Sequence, residues 1–295
     1  MKRVISMFLS ILCFAACAGS VFAATPAEDE LGLSFGYQAM SLPSQEEIQE
    51  SEARAAEMHR IVELLGLGHS DSSVRTNRMV DAEEQEEAKT IMEKYSSEWG
   101  AVSIFDQLAA RTDSSTLALD LPVVAQETGY YCGPASAYMV LKYENPNLNV
   151  TQQTLAGSAY LNTTTSGTDF STNWTTTMNA FSDHEYALLW GFSNDSDERA
   201  ILMTDCAIAT LTAGYGVIYD TVQYTTKTER LVGYPSALSS NVYHYVAGRG
   251  YDVSDPYRRI CYYVDPNGAR EDAYGEQEIR FRLLCTLMST RGLVY

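Results

Sequence analysis

The segment Gly129-Tyr130-Tyr131-Cys132-Gly133-Pro134-Ala135 sets one thiol at the expected start of a helix, six residues after the amide of Gln126. Pro134 fits the first helical position, where a missing N–H costs nothing, and residues 135–143 continue with helix-forming side chains. The positive end of a helix, especially beside a protonated imidazole, lowers a thiol pKa from about 8.5 into the range of roughly 3.5 to 7.5 and gives a nucleophilic thiolate. A cysteine is more commonly a small buried hydrophobe. Here the Gly-Pro pair, the Gln126 amide upstream and a histidine far downstream together fit a thiolate, an oxyanion donor and a base that are distant in sequence and adjacent in space. Gln126 Nε2 would donate to the oxyanion of a tetrahedral intermediate.

Of the four histidines, His59 lies on an acidic helix, His69 in a Gly-Ser-Asp turn, and His184 between Asp183 and Glu185, where a charged surface imidazole is expected. His244 stands instead in Val242-Tyr243-His244-Tyr245-Val246-Ala247-Gly248, an alternating strand pattern that gives its side chain a defined face. The chain returns in Ile260-Cys261-Tyr262-Tyr263-Val264-Asp265-Pro266-Asn267-Gly268, with Asp265 at the strand's end. If the two strands pair as an antiparallel hairpin, Asp265 comes within reach of His244 and can fix its tautomer. A one-residue slip would separate them. Alone, Asp265 reads equally well as the first residue of an Asp-Pro-Asn-Gly turn.

These residues need a frame. Residues 25–40 lack periodicity. A helix is expected from Ser44, with Glu47 completing a capping box, Ile48, Ala55, Met58, Ile61, Val62 and Leu65 forming its apolar face, and Gly66 or Gly68 as its stop. A second acidic helix is expected over 81–95 and a short apolar piece over 102–108. From residue 117 the chain becomes aromatic, holding 18 of the 20 tyrosines. Its pattern predicts an edge-like strand at 119–124, helices at 149–156, 174–181 and 198–213, strands at 216–224, 242–248 and 260–265, and a last strand near 280–287. The loop 162–172 reads as too polar for the core. Helices followed by sheet is an α+β order.

Met1-Lys2-Arg3, the apolar run 4–18 and Val21-Phe22-Ala23 read as a secretory signal peptide over 1–23, which predicts an exported protein. Lipidation at Cys17 ranks second, because Phe14 fits poorly at its position in such a signal. Four cysteines would remain, Cys132, Cys206, Cys261 and Cys285. With Cys132 free, at most one disulfide can form, and Cys206 and Cys285 lie in apolar runs that suit a core. No ligand spacing suggests zinc, and neither a metal nor another cofactor is expected. The net charge of −18 argues against nucleic acid or an anionic membrane surface as partner. Residues 25–115 carry 19 acidic and 7 basic side chains, against 19 and 11 over 116–295, so an accessory or propeptide region over 24–115 and a second domain over 116–295 are expected, the first either a solvated helical segment or a mask over the active-site cleft.

The anchors Leu121-Pro122-Val123, Gln126, Cys132-Gly133-Pro134-Ala135-Ser136, His244-Tyr245-Val246 and Val264-Asp265-Pro266 resemble the papain-like cysteine peptidases, and among them the bacterial peptidases that process double-glycine leaders, cysteine peptidase family thirty-nine. The resemblance covers residue 119 to about residue 267. It implies a papain-like α+β fold with Cys132 as nucleophile, His244 as base, Asp265 as its orienting group and Gln126 as oxyanion donor. Leader-processing members are usually fused to an export transporter, whereas this chain carries a signal peptide and an acidic region, so a free-standing exported relative is the nearer likeness. The spacing from His244 to Asp265 is longer than usual, with residues 254–259 as the insertion. Peptide hydrolysis is the leading expectation. A cell-wall peptide amidase or acyltransferase on the same frame, and an inactive papain-like binding module, are the alternatives.

Overall fold

The computed structural model describes residues 42–68, 83, 86–87, 90–91, 115–191, 197–255 and 257–295, and places the backbone at 27–28 and 34–35. The signal peptide, His69, the 102–108 piece and most of the expected 81–95 helix lie outside the described residues.

Helix α1, Gln45–Leu64, begins as its sequence dictates. Ser44 Oγ accepts from the Glu47 N–H at 3.2 Å and Glu47 Oε2 accepts from the Ser44 N–H at 2.7 Å, so two amides orphaned at a helix start are satisfied reciprocally. Its end is marked by Gly66 at φ +68°, a left-handed conformation that glycine adopts without strain. Ala55, Met58, Ile61 and Val62 are buried in one core with side chains from the rest of the protein. Helix α1 packs on α5, Asp197–Thr212, and on strand β2, Leu188–Trp190. The change of composition near residue 115 therefore does not separate α1 from the core of the following region.

The remaining elements are β1, Thr116–Ala118; α2, Cys132–Glu144; α3, Gln152–Ala156; α4, Asn173–Phe181; β3, Val217–Gln223; β4, Val242–Asp252; β5, Ile260–Asp265; β6, Gly275–Arg280; α6, Phe281–Met288; and β7, Gly292–Val294. Seven strands form one antiparallel sheet in the order β2-β7-β3-β4-β5-β6, with β1 also paired to β4. The fold is α+β, as expected.

Three local expectations are corrected. Residues 119–124 form no strand, although the Leu119 N–H still donates to the Arg249 carbonyl of β4 at 2.6 Å; the strand is β1 just before them. Residues 280–287 are mostly helix, since Phe281, Leu284, Cys285, Leu287 and Met288 are the buried positions of α6, at helical spacing. The loop 162–172 is not wholly surface, because Thr168 and Phe170 are fully buried. Phe170 lies over β7, where a Cβ on Gly292 would stand 2.3 Å from its ring. Just before that strand, Arg291 donates from Nε to Asp220 Oδ2 on β3 at 2.9 Å, a pair buried at both ends. Burial pushes the Asp220 carboxyl up to about 6 even against the Arg291 charge.

Candidate active site

Cys132 is the first residue of α2, with Tyr131 as N-cap and Pro134 third rather than first in the helix. The N-cap offers no side-chain acceptor, which leaves the first N–H groups and the positive end of the helix dipole beside the thiol. Gly133 is required by close packing, since a Cβ there would stand 2.5 Å from Thr168 Oγ1. Thr168 is itself held, its carbonyl accepting from Tyr245 Oη at 3.1 Å and its hydroxyl paired with Thr163 at 2.8 Å.

Strands β4 and β5 pair antiparallel, with Ala247 opposite Val264 at this end. Asp265 follows at the next position and shares a face with His244. His244 Nε2 lies 2.8 Å from Asp265 Oδ1, and both side chains are fully buried. The hairpin geometry expected from the sequence is the observed one. Asp265 Oδ1 also accepts from the Asn267 N–H at 2.8 Å, and Oδ2 from Tyr234 Oη at 3.3 Å. Across β3 and β4, Thr221 opposes His244 and donates to its carbonyl at 2.7 Å.

With Nε2 committed to Asp265, Nδ1 is the imidazole nitrogen left for the thiol. Nδ1 makes no hydrogen bond of normal geometry, yet Cys132 is near enough to push the imidazole toward its charged form. Burial is the largest single influence on His244 and opposes its charge, but the charge and hydrogen bond of Asp265, with a further contribution from Cys132, outweigh it and raise the imidazole from 6.5 to about 10.

Gln126 sits on a loop fixed from two sides. Its backbone N–H donates to the Pro266 carbonyl at 2.8 Å, which ties it to the turn after Asp265. Buried Gln152 of α3 accepts from the Glu127 N–H at 2.9 Å and donates to the Ala125 carbonyl at 2.8 Å. The Gln126 Nε2 donates to the Thr128 carbonyl at 2.9 Å, so service to an oxyanion would require exchange of that bond.

One other titrating group differs from expectation. His184 is not a charged surface residue. It is buried and stacked on Tyr215 at 4.5 Å, and burial, with the Arg54 charge adding to it, pushes it down to about 3. His59 lies on α1, as expected, with its Nδ1 2.6 Å from Asp205 Oδ2 on α5, a contact that raises its pKa. Among the described residues the four cysteines, Cys132, Cys206, Cys261 and Cys285, are free and buried. Burial raises Cys206 and Cys261 strongly, and Cys285 to about 11. Among the described residues no group of three or more His, Cys, Asp or Glu side chains could hold a metal ion.

Sequence reasoning missed Gln152, Thr168, Asn267 and Tyr234 as parts of this site. Asn267 was visible only as a turn residue, Gln152 as a helix position, and Thr168 and Tyr234 as loop positions with no local signal.

A family model described as Peptidase C39 like family matches residues 118–282, the span that holds Gln126, Cys132, His244 and Asp265. The chain belongs to this family. No curated protein matches it. Membership of the C39-like family agrees with the mixed helix and antiparallel sheet of the structure and makes the chain a papain-like cysteine peptidase relative. No described helix is long and apolar enough to cross a membrane.

Proposed function

We propose that the protein is an exported cysteine peptidase that hydrolyses peptide bonds through Cys132, His244 and Asp265, with Gln126 as oxyanion donor. The observation that carries the reading is the fully buried His244 Nε2 to Asp265 Oδ1 bond at 2.8 Å, which leaves Nδ1 for a thiol at a helix start. The Cys132 thiolate attacks the scissile carbonyl carbon, and the carbonyl electron pair moves to oxygen. That oxyanion is met by Gln126 Nε2, once released from Thr128, and by N–H groups at the start of α2. Imidazolium His244 gives its Nδ1 proton to the leaving amine as the carbon–nitrogen bond breaks. His244 then takes a proton from water, whose oxygen attacks the thioester and frees Cys132. Asp265 holds the ring orientation throughout.

Export rests on the leader-like residues 1–23. The purified protein should cleave members of a peptide library, and Cys132→Ala should abolish cleavage while leaving the thermal midpoint nearly unchanged. Cleavage undiminished in Cys132→Ala would sink the reading. Transfer of the acyl group to an amine in preference to water would favour an acyltransferase instead.

A further inference from the structure

We propose that Tyr234 is a positioning residue for the His244–Asp265 pair, its phenol holding the Asp265 carboxylate in the plane that keeps Oδ1 on His244. This rests on the reading of Cys132 and His244 as nucleophile and base. A carboxylate turns easily about its last torsion, so one hydrogen bond to histidine does not fix it. Oδ1 is engaged by His244 Nε2 and by the Asn267 N–H, whereas Tyr234 Oη reaches Oδ2 at 3.3 Å. The direction of that bond is forced. Asn267 Nδ2, which can only donate, approaches the same phenol oxygen at 3.2 Å, so the one phenol proton goes to Oδ2. Burial first, and then the Asp265 charge, raise the phenol well above its ordinary pKa, so it remains a donor at every working pH.

Tyr234 lies on the long connection 224–241 between β3 and β4, which holds no helix or strand. A connection of this kind inside a compact domain is usually functional. It is tied down around Asp265. The Val232 N–H donates to Tyr263 Oη on β5 at 3.1 Å, and the Leu231 N–H to Gln223 Oε1 at the end of β3 at 3.2 Å. From beyond Asp265, the Arg270 guanidinium lies 5.9 Å from the centre of the Tyr234 ring and donates to the Gly233 carbonyl. Gly233 has φ +80°, and a Cβ there would stand 2.3 Å from the Asp272 carbonyl oxygen, so the loop can be seated this closely only with glycine. The ring itself lies 5.9 Å from that of His244, tilted at 49° to it.

Tyr234→Phe keeps the ring and removes only the hydroxyl. The expected result is a fall of about tenfold in kcat with KM within about twofold, the size of loss that follows a modest misplacement of a catalytic group. The basic limb of the pH–rate profile should also move to lower pH, because a carboxylate free to turn supports the imidazolium less. A kcat and basic limb equal to the parent's would overturn the proposal. So would an impaired Tyr234→Leu beside a parent-like Tyr234→Phe, which would make the residue a packing group. Cys132→Ala assayed in parallel separates the two levels. Activity retained there sinks the underlying reading, while an inactive Cys132→Ala with parent-like Tyr234→Phe sinks only the role of Tyr234.

Discussion

At the scale of single residues, the places of Cys132, His244 and Asp265 in the fold were legible because each stands where an element begins or ends. Cys132 opens a helix, His244 lies near the start of a strand, and Asp265 closes the next. Their supports were not legible. Asn267 and Tyr234 act through one carboxylate, and Gln152 through two backbone groups of the Gln126 loop, contacts that no spacing in the chain encodes. His184 was misread for a related reason. Its charged neighbours in sequence point elsewhere, and burial against Tyr215 and Tyr186 decides its state. Gln126 provides the residue-scale prediction. Its amide is already positioned but bonded to Thr128, so Gln126→Ala should lower kcat by about 10²- to 10³-fold, the loss of roughly 2.7 to 4 kcal/mol of transition-state stabilisation, with a small change in KM. Steady-state kinetics on a cleaved peptide check it. A kcat within twofold of the parent's would assign the oxyanion to the helix N–H groups alone.

At the scale of elements, most of the described periodic segments folded as their patterns require, and two short stretches, 119–124 and 280–287, did not. The strands at 217–223, 242–252 and 260–265 and the helix at 197–212 fall within a few residues of expectation. Strands β2 and β7 have three residues each, too few to display a period, yet β7 occupies an interior place between β2 and β3. What stabilises it lies far away in sequence, in Phe170 over Gly292 and in Asp220 paired with Arg291. The run 281–288 shows the ambiguity of short apolar segments, in which periods of two and of 3.6 residues both find matches. Helix α2 is the element that carries Cys132. It is buried along most of its length, with Ala135, Ala137, Met139, Val140 and Leu141 fully enclosed, so its N-terminus cannot shift without disturbing the core.

At the scale of the whole molecule, α1 joins the acidic N-terminal region to the core. Arg54 donates to the Glu185 carbonyl, Ser51 Oγ donates to the Leu188 carbonyl at 2.5 Å, and His59 meets Asp205. Arg259 reaches the same neighbourhood from the start of β5, donating to the Leu67 carbonyl at 3.0 Å and to Asp205 Oδ1 at 3.3 Å. A segment held this way supports the fold. Ile61, 1 % exposed, should cost about 2 to 5 kcal/mol when changed to Ala, seen as a lower denaturant midpoint with activity per folded molecule unchanged. A rise in activity on loosening α1 would instead identify it as a mask. Charge adds a pH dependence that can be checked in the same unfolding experiment. His244 is raised in the folded protein, so its stabilising contribution is complete below about pH 6.5 and is lost as pH climbs through about 10. His184 acts oppositely, its contribution present above about 6.5 and lost as pH falls toward about 3.

The arrangement of the four described cysteines makes one measurement decisive for the proposed nucleophile. Burial raises the thiols of Cys206, Cys261 and Cys285, which leaves Cys132 as the thiol placed at a helix start beside an imidazole. The measurement is the rate of iodoacetamide alkylation between pH 6 and pH 10, with the modified residue located by mass spectrometry. The account predicts that Cys132 alone is modified at pH 6, at least about tenfold faster in the parent than in His244→Ala. Equal rates in the two proteins at pH 6, or modification spread over the other cysteines, would contradict it.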